Sequence, residues 1–452
     1  MKKKRKLSPF LTIILSFLIV ICIGTILLLM PFATKDGRPG LNFIEAFFTT
    51  TSAVCVTGLT VIPDIGSTLS LYGQIVLACL IEIGGLGFIT ITLFVFIVLG
   101  MKIGIKNRFL MKEALNQDTP KGVVKMVKYT VLIAFTIQLI GAIFNFLILK
   151  FTMNGMFTTI DAIGIGIFHT VSSFNNAGFD LFGNSSLTAP IFAGNILFNL
   201  NTAALIIAGG IGFIVIFDVI STRNWRKLSF HTKIVLRTSA LLIVAGTVFL
   251  WLFSFGKMNW LQAFFQSVSL RTAGFATVNM GDFKKTPAFI LMIILMFIGA
   301  SPCSTGGGIK TTTFFVLMRA IFSYATGRRI VTFHRAIDNK TIIKAFSLVV
   351  LAIVFTITIT TIITIFETGF GIIKNGTGDS QDIVFEAFSA FATVGNSTGI
   401  TSNLTWESKL VLCLTMFCGR LGPLTIMNLW NRNWLVDNRS EIRYVEKSVV
   451  IG

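Results

Sequence analysis

Apolar residues run along this chain in blocks of twenty or more, near 10–33, 71–100, 128–150, 190–218, 234–255, 287–318, 343–366 and 408–430. Each matches the ~20 residues a helix needs to cross ~30 Å of hydrocarbon. The pattern predicts an all-α polytopic membrane protein with eight spans. The first block follows MKKKRK and could imitate a signal peptide. It exceeds a ~7–15 residue signal core and ends in MPFATK rather than at a small-residue cleavage site, so a retained helix is expected.

Between the first and second block of each pair lies a shorter helix-like phrase: NFIEAFFTTTSA, IGIFHTVSSF, WLQAFFQSVS and DIVFEAFSAF. At about ten residues these are too short to span, and segments of that length beside spans are re-entrant or interfacial. Each runs into a small-residue phrase: SAVCVTG to Gly58, SSFNNAG to Gly178, VSLRTAG to Gly274 and SAFATVG to Gly395. The unit is span, half-helix, loop, span, and it occurs four times: 10–100, 128–219, 234–320 and 342–430. The second spans echo one another in IGGLGF (Gly84, Gly85, Gly87) and AGGIGF (Gly209, Gly210, Gly212), then diverge into GASPCSTGGGIKTTT (299–313) and CGRLGP (418–423). A single such phrase reads equally well as close helix packing through small residues. Four in register, each between spans and on one side, point to a symmetric membrane architecture.

Charge sets the orientation. Net charge is +19, which taken alone would suggest nucleic acid. Most Lys and Arg, however, lie in Lys2–Lys6, Lys102–Lys128, Arg223–Arg237, Arg319–Lys344 and Arg432–Lys447, alternating with loops of slight acidic excess. Lys and Arg gather on the cytoplasmic side of spans. Both termini (1–9 and 431–452) are therefore expected inside, and the four loops outside, with no nucleic-acid partner.

Irregular backbone at membrane depth is tolerated only where it is buried in protein or lines a water-filled cavity. Four loops entering from one side around a pseudo-fourfold axis meet that condition together. Their carbonyls would replace a cation's hydration shell, glycine giving the backbone angles and the half-helix C-termini their negative dipole ends.

The fourfold unit, the phrases VTGL, NNAGF and RTAGF, GASPCSTGGGIK in the sixth span and GRLGP in the eighth together resemble the membrane subunit of the Ktr/Trk/HKT potassium-uptake superfamily. The resemblance covers about 10–440. The chain opens directly with the first unit, without the leading helix pair of the Trk branch, and so is more similar to the Ktr branch. It implies a selectivity filter at Gly58, Gly178, Gly274 and Gly395 with the residues leading into them: Val56, Thr57, Asn176, Ala177, Thr272, Ala273, Thr393 and Val394. Plant relatives with serine at the first position pass sodium, so glycine at 58 implies potassium preference. One glycine step per unit implies weaker discrimination than a longer filter, with some sodium or rubidium passage. The segment 299–313 would be an intramembrane gate, using Gly306, Gly307, Gly308 and Lys310, contacted by Arg420. The resemblance also implies a homodimer with one pore per chain, a bacterial plasma membrane, K+ as cargo, and Na+ as a candidate activator. A separate cytosolic ring of nucleotide-binding (RCK-type) subunits would carry the nucleotide.

Lys310 and Arg420 lie where charge is expensive, which marks them as functional, with snorkelling or a helix end as the alternative. Pro302 and three consecutive glycines forbid a regular helix through 299–313. It is the only block with a long break. Arg271 is expected to cap half-helix carbonyls or pair with an acid. Glu82 is read as protonated, paired or near a vestibule. Glu45, Asp161, Asp180, Asp382 and Glu386 are candidates to concentrate cations at the mouth, with loop solvation or helix capping as the alternative.

Other classes fall away. The six cysteines lack metal spacing, three histidines are scattered, and no nucleophile stands with a base, so no enzyme is expected. No phosphate-binding glycine motif lies between a strand and a helix, which argues against an ATP-driven pump. A sodium-translocating or sodium-permeable relative of the same fold is the main alternative. An alternating-access transporter is a distant one, since it expects inverted repeats with matching broken helices.

Overall fold

The computed structural model describes residues 9–35, 40–99, 123–153, 155–182, 187–333, 335–368 and 379–422 of the 452. The basic stretches 2–6 and 432–447, most of 102–128, the C-terminal segment 431–452 and Pro423 lie outside them.

The chain folds as helices joined by short turns. In order they are α1 (Pro9–Leu28), α2 (Phe43–Val54), α3 (Leu71–Leu86), α4 (Phe88–Val98), α5 (Val123–Phe151), α6 (Thr159–Phe174), α7 (Ile196–Ile211), α8 (Phe213–Thr222), α9 (Phe230–Phe253), α10 (Trp260–Ser269), α11 (Pro287–Phe297), α12 (Thr311–Thr326), α13 (Asn339–Thr368), α14 (Ser380–Ala392) and α15 (Trp406–Leu421). A two-residue antiparallel ladder pairs Val331 with Ala336 and Thr332 with Arg335.

Four helices (α1, α5, α9 and α13) are long and apolar enough to cross a membrane, or six spans if α3–α4 and α7–α8 each count as one. The long helices bury only a minority of their residues; α13 buries 22% of its most apolar window. Ile343, Val350, Val354 and Ile357 stay exposed along it, as do Leu132, Phe135, Leu139 and Ile143 along α5. Apolar surface of that extent needs a hydrocarbon solvent. The short helices show the reverse pattern. Thr49, Thr50, Thr51 and Ser52 of α2 are all buried.

The expectation of one long break holds, at 298–310, and two further blocks bend at a single residue. The blocks at 71–100 and 190–218 also break, bending by 95° and 96° between α3 and α4 and between α7 and α8. One glycine does this each time: Gly87 at φ +85° and Gly212 at φ +98°, angles that Cβ sterics close to most other residues. Gly422, which ends α15, has φ +81°. The block at 287–318 divides as expected, with 298–310 outside helix between α11 and α12.

Packing follows one rule around the molecule. Each short helix packs on the span before it: α1 on α2, α5 on α6, α9 on α10, α13 on α14. Each inner helix then packs on the next short helix: α3 on α6, α7 on α10, α11 on α14, and α15 back on α2. The last contact joins the last described helix to the first of the short ones.

Candidate functional site

Each short helix stops just before its glycine, and the stop has a repeated local cause. The amide of Thr57 donates to the carbonyl of Ser52 (2.8 Å), Ala177 to Ser172 (2.7 Å) and Val394 to Ser389 (2.9 Å); Ala273 reaches Ser269 (2.8 Å). The Ser52 and Ser389 hydroxyls accept from Gly58 N–H and Gly395 N–H, each at 3.0 Å. These serines anchor the loops, a role the sequence reading did not assign, although they stand at one place in three of the four phrases.

The residue two before each glycine turns left-handed: Val56 (φ +55°), Asn176 (+59°), Thr272 (+85°) and Thr393 (+50°). Gly58, Gly178, Gly274 and Gly395 follow at φ +99°, +71°, +80° and +94°. Three of these left-handed residues are Val or Thr, whose β-branched side chains resist such angles at ~1–3 kcal/mol each. The surrounding packing must hold them there.

The four glycines close on one another. A Cβ placed on Gly58 would stand 2.5 Å from the Ala177 carbonyl oxygen, one on Gly178 2.7 Å from Ala273 O, and one on Gly274 2.4 Å from Val394 O. On Gly395 it would meet Thr57 O at 2.0 Å. Each glycine thus faces the carbonyl just before the next, and the fourth returns to the first. Thr57, Ala177, Ala273 and Val394 are fully buried.

The break between α11 and α12 presses on this ring. A Cβ on Gly306 would stand 2.1 Å from Thr272 Oγ1, and one on Gly307 2.2 Å from Thr393 Oγ1. Thr305 Oγ1 donates to the Phe174 carbonyl (3.2 Å), and its amide to Gly209 O (3.2 Å). Ser301 N–H donates to Gly210 O, and Phe213 N–H to Cys303 O, so the segment also clasps the α7–α8 bend. Lys310 stitches the segment to itself, Nζ donating to Gly306 O at 2.6 Å and Gly307 O at 3.4 Å. Arg420 of α15 donates from Nη1 to the Thr305 carbonyl and from Nη2 to Gly84 O (2.5 Å) and Gly85 O (3.0 Å). Both cations are therefore held by carbonyls in place of snorkelling, and both also stand at helix ends, Lys310 at the N-cap of α12 and Arg420 in the last turn of α15.

The other polar candidates resolve individually. Glu82 accepts from Gln138 Nε2 (3.1 and 3.0 Å) and Asn175 Nδ2 (2.6 Å), so its partners are amides. Arg271 neither caps half-helix carbonyls nor meets an acid among the described residues; its two Nη atoms reach the carbonyl and hydroxyl of Ser239 on α9, both at 3.3 Å. Glu45 closes a capping box with Asn42, Asp161 bonds the cap residue Thr158, and Asp382 accepts from Asp379 N–H and from Lys284 Nζ (2.6 Å). All three make capping bonds at the starts of their helices.

Glu386 is the surprise. It is 1% exposed and lies behind the fourth loop, taking the Ser397 hydroxyl, the Thr401 hydroxyl (3.0 Å) and Thr398 N–H (3.3 Å). Asp180 stands two residues after Gly178, outside the helices long and apolar enough to cross a membrane. Burial pushes its carboxyl up to about 6, against a hydrogen bond from Phe182 N–H and with help from nearby Asp64.

Comparison with known proteins agrees with this architecture. Residues 3–431 match the family described as TrkH, cation transport protein. The Ktr system potassium uptake protein B of Bacillus subtilis is 36% identical, over 99% of this chain and 97% of its own length. The potassium/sodium uptake protein NtpJ of Enterococcus hirae is 37% identical, over 100% and 99%. The crystal structure of the potassium transporter TrkH from Vibrio parahaemolyticus superposes with a TM-score of 0.68 at 20% identity, covering 95% of this chain and 86% of that one. The chain belongs to the TrkH family of cation transport proteins.

Proposed function

We propose that the chain is the potassium-conducting membrane subunit of a bacterial Ktr-type uptake system, with four repeats (10–100, 128–219, 234–320 and 342–430) and eight spans around one pore. The observation that carries this is the closed contact between each loop glycine and the carbonyl before the next glycine. Backbone oxygens from Val56, Thr57, Gly58, Asn176, Ala177, Gly178, Thr272, Ala273, Gly274, Thr393, Val394 and Gly395 line the path and take the place of water around K+. The half-helices α2, α6, α10 and α14 end at these loops, turning the negative ends of their dipoles toward the ion.

The segment 299–313 is the gate. Its Gly306 and Gly307 touch the inner side of two loops, and Arg420 and Lys310 hold it through carbonyls. The word "system" in the name of the Bacillus subtilis relative supports a further component. On this reading it is a cytosolic nucleotide-binding ring, acting on a homodimer from the side of the basic loops. Both termini are cytoplasmic, and the membrane is the bacterial plasma membrane.

The name of the Enterococcus hirae relative includes sodium, which favours a second reading in which Na+ also passes or activates the pore. Growth of a potassium-uptake-deficient bacterium tests the proposal. The chain, with a co-expressed regulatory subunit, should restore growth at low potassium and raise cell K+. Growth restored with no K+ accumulation overturns it.

A further inference from the structure

Arg271 directly precedes Thr272 of the third loop, yet its guanidinium turns away from the ring. It is more than nine-tenths buried, at 8% exposed. Two long bonds to Ser239 use two of its five N–H donors, and Nε has no partner among the described residues. No carboxylate among the described residues pairs with it. A buried guanidinium without a counter-charge costs several kcal/mol.

Beside it lies a cavity of about 20 Å³, lined by Arg271, Ser239, Asn176, Ile207, Gly210 and Ala300. That exceeds the ~10–15 Å³ that one water-sized particle occupies. The wall holds a guanidinium and a hydroxyl, the Asn176 amide already bonds Thr272 Oγ1, and the wall's other residues are aliphatic or glycine.

We propose that this cavity binds one small monovalent anion of the halide class, chloride in the cell, as the counter-ion of Arg271. A water molecule matches the volume but brings no charge, whereas a halide satisfies the free N–H groups and neutralises the buried cation together. The placement matters for the rest of the molecule. Asn176 belongs to the second loop, Ala300 to the segment beneath the ring, and Gly210 to the α7–α8 bend, so one anion would brace all three. It would also cancel a positive charge next to the ring, where, on the proposed reading, a cation must pass.

The test uses the full chain purified with bromide in place of chloride. Anomalous scattering should place one bromide within hydrogen-bonding distance of the Arg271 guanidinium. Unfolding in potassium chloride should come about 1–3 °C above that in potassium gluconate at equal ionic strength. Arg271→Lys should keep this difference, and Arg271→Gln should lose it. Absence of the bromide peak overturns the proposal, as does a halide effect that survives Arg271→Gln. If Arg271→Gln fails to fold, the wild-type bromide map decides alone. Flux plays no part in these readouts, so they stand or fall apart from the functional reading.

Discussion

Gly395 and Thr57 lie 338 positions apart in sequence, and a single methyl group on Gly395 would reach within 2.0 Å of the Thr57 carbonyl oxygen. This contact closes the ring by joining the fourth loop to the first. Gly395→Ala therefore meets two penalties. The φ of +94° costs an L-residue roughly 1–3 kcal/mol, and the overlap forces one of two loops to shift. The variant should bind and conduct K+ less selectively while the outer helices stay folded. Circular dichroism and rubidium flux on the same preparation check both halves. Wild-type selectivity in Gly395→Ala would remove the contact from the conducting path.

Arg420→Ala removes the donor to Thr305 O, Gly84 O and Gly85 O. If those bonds hold the 299–313 segment against the ring, uptake per folded molecule should rise severalfold and depend less on the regulatory partner. Deleting Gly306–Gly308 should act in the same direction, leaving the K+ to Na+ ratio unchanged. Transport assays normalised to folded protein check this, and wild-type uptake in both variants would make the segment a kink and nothing more.

Glu386 gives a prediction about the fourth loop alone. Glu386→Ala leaves the Ser397 and Thr401 hydroxyls and Thr398 N–H without their acceptor, at about 1–3 kcal/mol for each group that stays buried. Glu386→Gln keeps one acceptor oxygen and should be milder. Thermal unfolding should rank wild type above Gln above Ala, and K+ preference should fall in the same order. An unchanged melting temperature in Glu386→Ala would contradict the anchoring role.

Asp180 supplies the pH dependence. Its carboxyl is pushed up to about 6, so it is charged above that pH and neutral below it. If its charge gathers cations at the outer side, flux should fall as external pH drops from 7.5 to 5.5, with a midpoint near 6. Asp180→Asn should be lower throughout and flat across that range. A pH profile that is the same in wild type and variant would assign the titration to another group.

Much of this was legible in the sequence, and the parts that were not share a physical cause. The four half-helices and their glycines were readable because each phrase is too short to span and ends in the same small residues. The breaks at Gly87 and Gly212 were not, because IGGLGF and AGGIGF stay apolar through the bend and hydropathy carries no information about φ. Glu45 could have been recognised as a cap from NFIE, where Asn42 and Glu45 have capping-box spacing. Glu386 had a weaker signal, an acid two turns inside a buried helix where no capping needs it. Arg271 could be placed in the third loop, but only the three-dimensional structure shows that it turns outward to Ser239.

The central claim is that one chain forms a cation path through the Gly58, Gly178, Gly274 and Gly395 ring, and the most direct measurement is the zero-current potential of the purified chain in planar bilayers with K+ on one side and Na+ on the other. The expected result is a potential of the sign for K+ preference, reduced toward zero in Gly58→Ser at equal protein incorporation. A passive cation current whose K+ to Na+ preference is identical in wild type and Gly58→Ser would contradict the account.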